Sequence, residues 1–222
     1  MPACVRNQAA AGRDPSVPGF PYEQLGGTVV GMTATARPPT TRRFTADEVW
    51  QMVEIGLLGQ DEPYELLDGE LLYVSPQGEP HAKAIARLNM FLAVEYGPSE
   101  HLVRVQAPVG GILDSIPEPD LAVVTREVAE QDGPPRPEQA VLLVEVAATS
   151  LPRDRRKGLI YAAAGAREYW IVDVVRELVT VHTGSASDGT WDEVREVGLD
   201  GTLALPGTAS TVSAAGILRP AR

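Results

Sequence analysis

Three residues that are far apart in the chain form a pattern that could do chemistry, two acids followed by an amine. Asp120 follows a proline at the entrance of a short apolar run, Glu145 lies within the apolar run of residues 140–146, and Lys157 lies on the predicted helix that follows. A carboxylate within an apolar strand is costly to bury unless it is paired or binds a metal. Glu145 is therefore the strongest single indication of a functional site.

The two acids suggest a metal site. If their strands are neighbours, Asp120 and Glu145 can reach one hard cation, and water molecules with a backbone carbonyl near Val146 would complete an oxygen shell typical of Mg²⁺. Such an ion polarises a phosphoryl oxygen and lowers the pKa of a bound water. Lys157 could orient that water and offset charge on the phosphate, and Asp154 lies on the same helical face and could hold the lysine. The pattern predicts a catalytic Mg²⁺ or Mn²⁺ centre.

Structural interpretations of the same residues remain open. An acid after a proline is often only a strand-entry residue, and Glu145 could be a structural carboxylate paired with Arg155 or Arg167. A basic cluster on a helix is usually a solvated face, or here a phosphate-contacting surface. That cluster contains Lys157 together with Arg153, Arg155 and Arg156.

Composition limits the classes of function. The chain has 222 residues, a formal net charge of −11 and a pI near 4.7, which lowers the odds of a nucleic-acid binder without excluding a nuclease that collects carboxylates in its site. The single cysteine, Cys4, excludes an internal disulfide framework and a thiolate zinc site. No stretch approaches the ~20 apolar residues that a membrane span needs. We expect a soluble, cytoplasmic protein with no membrane partner.

The chain divides into a tail and one domain. Residues 1–42 are rich in proline and lack apolar periodicity, so we expect a disordered tail, within which Met32 offers an alternative start. Residues 43–222 are expected to form a single α/β domain. Its order begins at Thr45, which forms a capping box with Glu48 and starts a helix that runs to about Leu58.

The remaining pattern predicts a mixed sheet with helices. Residues 64–74 form a hairpin around Asp68 and Gly69, a dipeptide suited to a type I′ turn, and a core-facing helix follows from His81 to Tyr96. The unbroken apolar run of residues 140–146 belongs in the middle of a covered sheet. The other predicted elements are strands at 101–109, 121–124, 168–174 and 178–183, a helix at 154–164, and a short strand with a partial helical turn after Gly201.

Several segments, in this order, resemble those of one known family. The sequence is similar, from about Phe44 to Leu218, to the Uma-two family of restriction-endonuclease-like proteins, in the PD-(D/E)XK nuclease superfamily. The matching segments are residues 64–71, Ser75-Pro76 followed by His81, Glu118-Pro119-Asp120, Val144-Glu145-Val146, residues 154–157, and Tyr161 with Gly165 and residues 168–173.

The resemblance implies a fold and a site. The fold would be restriction-endonuclease-like, a mixed central sheet flanked by helices with an N-terminal helix and β-hairpin extension. The superfamily lysine would have moved from the Glu-X-Lys position, occupied here by Ala147, to Lys157 on the next helix. His81 and Glu65 match positions that resemble extra site groups of this family, in water-positioning or metal-adjacent roles.

Two functions follow as expectations. The first is a Mg²⁺- or Mn²⁺-dependent endonuclease that hydrolyses DNA phosphodiester bonds, and a homodimer that cuts both strands is compatible with it. The second is a catalytically silent nuclease-fold module that engages a protein or nucleic-acid partner, which the acidic charge and the displaced lysine favour.

Overall fold

The computed structural model describes residues 40–59, 62–74 and 78–219. The predicted tail, with Cys4 and Met32, lies almost wholly outside these residues, as do Ser75 and Pro76. From Thr41 onward the chain forms one compact unit. Its elements in chain order are α1 (Ala46–Glu54), β1 (Tyr64–Leu67), β2 (Glu70–Tyr73), α2 (Glu79–Tyr96), β3 (His101–Val105), β4 (Leu121–Thr125), α3 (Arg126–Ala129), β5 (Ala140–Ala147), α4 (Leu151–Ala163), β6 (Glu168–Asp173), β7 (Leu178–Ser185), β8 (Trp191–Gly198), β9 (Thr202–Ala204), β10 (Thr211–Ser213) and α5 (Ala214–Leu218).

Helix α1 begins with the capping box that the sequence predicts. The backbone N–H of Glu48 donates to Oγ1 of Thr45 at 3.3 Å, and the N–H of Thr45 donates to Oε2 of Glu48 at 3.0 Å. Both bonds satisfy amide groups that have no partner within the helix. The predicted end at Leu58 is wrong, because the helix stops at Glu54 and Gly56 then adopts a φ of +74°.

The hairpin of β1 and β2 is confirmed. Leu67 pairs with Glu70 across a two-residue turn in which Asp68 has a φ of +48° and Gly69 a φ of +77°. Positive φ at both central residues is what a type I′ turn requires. The turn fixes the register of the hairpin and therefore the position of Glu65 on β1.

The central sheet is mixed, as predicted, and its strand order is β3-β4-β5-β6-β7-β8. Strands β5 and β6 run parallel, and the other four neighbouring pairs are antiparallel. The parallel pair needs a crossover connection, which α4 provides. All residues of β5 except Val141 are buried, which confirms the interior place expected for this apolar run.

Helices cover both faces of the sheet. Because successive strand residues point to opposite faces, Leu142 and Val144 pack with α2 and α5, whereas Leu143 packs with Tyr161 of α4. Helix α4 approaches the sheet closely at Gly158, where an added Cβ would lie 3.0 Å from Cε1 of Tyr169. This close packing places the buried face of α4 over β5 and β6.

The two edge strands depart from the sequence prediction. Strand β3 ends at Val105 instead of continuing to residue 109, because Gln106 adopts a φ of +45° and Pro108 follows. Strand β8 was not predicted. It pairs only with β7. Four of its eight residues are charged and seven are at least partly exposed, so it shows no apolar alternation.

No helix in the described part of the chain has the length and apolar character needed to cross a membrane.

Candidate active site

A cleft of about 640 Å³ opens where β4 begins and β5 ends, beside α2, α4 and the hairpin. It brings together residues that the sequence singled out from five separate segments. The ionisable groups that line it include Glu65, His81, Asp120, Glu145, Arg153 and Lys157. Asp154 is not among its lining residues.

The two predicted acids lie side by side. Leu121 pairs with Val144 on the antiparallel strands β4 and β5, so the same register continued by one residue sets Asp120 opposite Glu145. Facing residues in such a pair have Cβ atoms about 4.5–5.5 Å apart. Oδ2 of Asp120 also accepts the backbone N–H of Val146 at 2.8 Å, which ties this carboxylate to β5.

The predicted amine lies against the second acid. Nζ of Lys157 is 2.8 Å from Oε1 of Glu145 and 2.6 Å from Oε1 of Glu65, and it donates to the carbonyl oxygen of Glu118 at 2.7 Å. Lys157 is only 1% exposed, so it does not belong to a solvated basic face. Glu145 is therefore paired with Lys157, and the pairing with Arg155 or Arg167 that the sequence left open is wrong.

Electrostatics in the cleft oppose the accumulation of negative charge. Burial raises the pKa of Glu145 well above its usual range, and Asp120, Asp154 and Glu65 raise it further, while Lys157 opposes them. Burial acts to lower the pKa of Lys157, but the charges of Glu145 and Glu65 outweigh it and raise this pKa above its ordinary value. Lys157 is thus held as an ammonium ion, and Glu145 would be stabilised by further positive charge.

His81 lies beside Asp120. It occupies the first turn of α2, is 2% exposed, and has Nε2 at 3.1 Å from Oδ2 of Asp120. Its Nδ1 is buried and has no hydrogen-bond partner in the described residues. This position is compatible with orienting Asp120 or a water molecule in the cleft.

Glu65 joins the hairpin to the site. Its Oε1 accepts the backbone N–H of Glu118 at 3.0 Å in addition to its contact with Lys157. The residue is 5% exposed, and its Oε2 is buried without a hydrogen bond in the described residues. Glu65 thus links β1, the Glu118-Pro119-Asp120 segment and α4.

Asp154 stands behind the cleft. Its Oδ2 accepts the hydroxyl of Ser150 at 2.5 Å, and its backbone carbonyl accepts the hydroxyl of Tyr169 at 2.9 Å. Burial raises the pKa of Asp154, which is 1% exposed. These bonds hold the first turn of α4, and no hydrogen bond in the described residues joins the Asp154 carboxylate to Lys157.

Two further residues of α4 belong to the site and were not assigned to it from the sequence. Tyr161 donates its hydroxyl to Oε1 of Glu145 at 3.3 Å, and Arg153 lines the cleft. Both lie four residues from Lys157, a spacing that puts side chains on one helical face. That spacing was the available signal for them.

No group of three or more His, Cys, Asp or Glu side chains in residues 40–59, 62–74 and 78–219 is arranged to hold a metal ion. The hydrogen bonds of the two principal acids run through one oxygen each, Oδ2 of Asp120 and Oε1 of Glu145. Any cation in the cleft would therefore depend on the remaining oxygens of this pair.

Comparison with known proteins gives a family and a fold. The model of the Uma2 family, described as "Putative restriction endonuclease", matches residues 47–214. Among solved structures, "a putative nuclease belonging to DUF820 from Anabaena variabilis ATCC 29413" has a TM-score of 0.61 and 17% identity, over 79% of this chain and 97% of that one. No curated protein matches the chain. The resemblance and the fold class expected from the sequence are confirmed.

Proposed function

We propose that this chain, which belongs to the Uma2 (Uma-two) family, is an endonuclease that hydrolyses DNA phosphodiester bonds with the help of Mg²⁺ or Mn²⁺. The observation that carries the proposal is the meeting of Asp120, Glu145 and Lys157 in one cleft. The likeness of this chain to a solved structure described as a putative nuclease supports it.

The donor chemistry of the cleft fits a hard divalent cation. Mg²⁺ binds oxygen ligands and is commonly held by one or two carboxylates, with water and substrate oxygens completing its shell. Asp120 and Glu145 would be the protein ligands, and a third acidic ligand is not needed. When bound, such an ion supplies Lewis-acid polarisation of a phosphoryl oxygen and acidification of a water.

The residues around the two acids would keep them in place. Lys157 and Tyr161 hold Oε1 of Glu145, while His81 and the backbone N–H of Val146 hold Oδ2 of Asp120. Fixed hydrogen-bond partners of this kind orient ligating groups and are often as important as the ligands. Oδ1 of Asp120 and Oε2 of Glu145, which these bonds leave unused, would then be the oxygens offered to a cation.

The charge of the cleft explains how an acidic protein could act on DNA. Its lining carries four carboxylates, those of Glu65, Glu118, Asp120 and Glu145, but only two cationic groups besides its histidine. With these carboxylates ionised, the cleft would repel a phosphate until a divalent cation compensated the excess. We therefore expect DNA binding at this site to require a divalent cation.

Plasmid nicking tests the proposal. Purified full-length protein should convert supercoiled DNA to open circles in Mn²⁺ but not in EDTA. Glu145→Gln and Asp120→Ala should lose at least about 100-fold of this activity, because the loss of a charge-stabilising group typically costs that much. Glu193→Gln makes the same chemical change on exposed β8 and should nick like the wild type. Equal nicking by Glu145→Gln and Glu193→Gln would refute this site.

A catalytically silent binding or regulatory module is the second candidate. It is favoured by the contacts of Lys157, whose ammonium group lies within 2.6–2.8 Å of three acceptors of the protein itself, those of Glu65, Glu118 and Glu145. Calorimetric titration with Mn²⁺ separates the two functions, because only the nuclease needs a cation site that Glu145→Gln removes. A folded wild-type protein without binding heat and without nicking would point to the silent module.

A further inference from the structure

The ammonium group of Lys157 has no donor to spare for a substrate. An ammonium carries three N–H donors, and its three nearest acceptors are Oε1 of Glu145, Oε1 of Glu65 and the carbonyl oxygen of Glu118, at 2.6–2.8 Å. Lys157 could contact a phosphate only after breaking one of these contacts. Its role is therefore to position Glu145 and Glu65 and to contribute its charge.

Arg153 is the other cation with a long side chain among the described residues that line the cleft. It lies one turn before Lys157 on α4, so both side chains project from the same helical face. Its side chain is 24% exposed, in contrast to the 1% of Lys157. A ligand that enters the cleft would meet the guanidinium of Arg153 before it met the ammonium of Lys157.

The Nε donor of Arg153 is not committed to a protein acceptor. It lies 3.8 Å from Oε2 of Glu65 and 3.9 Å from Oδ1 of Asp154, which are distances for ionic attraction but too long for hydrogen bonds. All three of these atoms are buried and without partners in the described residues. The two carboxylates thus hold the buried Nε side of Arg153 at the cleft electrostatically, and contact with a ligand falls to the two Nη groups at the end of the guanidinium.

We infer that Arg153 is the residue that binds the phosphate of the substrate, an inference that rests on the proposed function. The planar guanidinium presents a fork of donors that matches two oxygens of a phosphate. Arg153 contacts a phosphodiester in the cleft, while Lys157 remains with Glu145 and Glu65. The two cations thus have separate roles: the more exposed Arg153 contacts the ligand, and the buried Lys157 positions the acids.

DNA binding without cleavage tests this assignment. Full-length protein would be titrated into a fluorescein-labelled duplex oligonucleotide in Ca²⁺, over a series of NaCl concentrations. Arg153→Gln should weaken binding about tenfold or more, the effect of losing a charged hydrogen bond. It should also reduce the slope of log K against log salt by about 0.9 for the lost phosphate contact.

Arg155→Gln is the matched control, because it removes the same charge from an exposed position two residues further along α4. We expect it to bind with nearly wild-type affinity. Equal losses in Arg153→Gln and Arg155→Gln would overturn the assignment. A lower melting temperature of Arg153→Gln with an unchanged salt slope would also overturn it, since that is the result of a purely structural role.

If Arg153→Gln does not fold, Arg153→Lys tests the assignment instead. This variant keeps a positive charge beside Glu65 and Asp154 but lacks the paired N–H donors of the guanidinium. Weaker DNA binding at an unchanged melting temperature supports the assignment, and wild-type binding overturns it. Nicking by the wild type in Mn²⁺ is measured in parallel. Normal nicking by Arg153→Gln would refute the assigned role of Arg153 but not the proposed nuclease function. A wild-type protein that neither binds nor nicks DNA would refute both proposals.

Discussion

Two charged clusters join the same helix to the same hairpin, and they differ mainly in depth. In the inner cluster, Lys157 of α4 contacts Glu65 and Glu145. In the outer cluster, the neighbouring Arg156 contacts Asp68 of the hairpin turn at 2.7 Å and Glu70 of β2 at 2.9 Å. Arg156 also donates to the carbonyl oxygen of Leu67 at 2.7 Å.

The distances in the two clusters are alike, so burial is what separates them. Lys157 and its partners are 1–5% exposed, whereas the side chains of Arg156 and its partners are 31–46% exposed. Water and salt screen the outer charges but scarcely reach the inner ones. Ion pairs of similar geometry therefore have different roles. At the surface they attach α4 to the hairpin, whereas in the cleft they fix the protonation state and the position of the acids.

The largest expected effect follows from removing the inner cation. Lys157→Met should lower the free energy of unfolding by about 3–5 kcal/mol, because it leaves buried carboxylates without a counter-charge. Urea denaturation monitored by circular dichroism measures this loss. Lys83→Met removes an exposed lysine paired with Glu79 and should change stability by no more than about 0.5 kcal/mol.

The loss of unfolding free energy in Lys157→Met should depend on pH. Lys157 acts to lower the pKa of Glu145, so without it the effect of burial, which raises that pKa, is unopposed. A carboxyl group whose pKa is higher in the folded state than in the unfolded state stabilises the fold at pH values below the unfolded-state pKa, near 4.5. This stabilisation is lost as the pH rises through the folded-state pKa. The variant should therefore be closer to the wild type near pH 5 than near pH 8. The opposite trend would contradict the assigned burial of Glu145.

An intermediate effect is expected from the hairpin turn on which both clusters depend. An alanine Cβ at Gly69, where φ is +77°, would lie 2.6 Å from Cβ of Arg43. Gly69→Ala should cost about 2 kcal/mol in thermal or urea unfolding, from the left-handed backbone and this clash together. Gly56→Ala, with a φ of +74° and open space around it, should show only the backbone part. Equal costs would mean that the contact with Arg43 relaxes freely.

The smallest effect should come from the outer cation. Arg156→Met is expected to cost about 1 kcal/mol or less, because exposed ion pairs gain little over their hydrated state. Raising NaCl from about 0.05 M to 0.5 M should shrink the difference from the wild type, while leaving the cost of Lys157→Met nearly unchanged. A salt-independent loss as large as that of Lys157→Met would abolish the distinction between the two clusters.

Local sequence patterns predicted most of the fold because they act over a few residues. Thr45 with Glu48 defined the start of α1, Asp68 with Gly69 defined the hairpin turn, and the apolar run of residues 140–146 defined an interior strand. The ends of α1 and β3 were misplaced because the chain adopts a positive φ at Gly56 and at Gln106. Whether a residue adopts this conformation depends on the parts of the chain packed around it. Strand β8 was missed because an edge strand with polar side chains has no apolar period.

The sequence predicted most of the residues that form the candidate site but not how their side chains pair. Asp120, Glu145 and Lys157 were recognisable from the sequence, because an acid in an apolar strand conflicts with its surroundings and the segment order resembles a known family. Which residue pairs with which was not recognisable. Glu65 lies on a hairpin far from Lys157 in the sequence, and the choice between Lys157, Arg155 and Arg167 as partner of Glu145 has no local signal.

The sequence by itself determined most of the segments that become helices and strands, and the burial of Glu145, since backbone preferences and apolar periodicity are local properties. Only the tertiary structure decided that Lys157 faces inward and Arg156 outward, because that choice depends on how α4 packs against β5 and the hairpin. Burial then sets the local dielectric environment, and with it the strength of every charge interaction in the cleft.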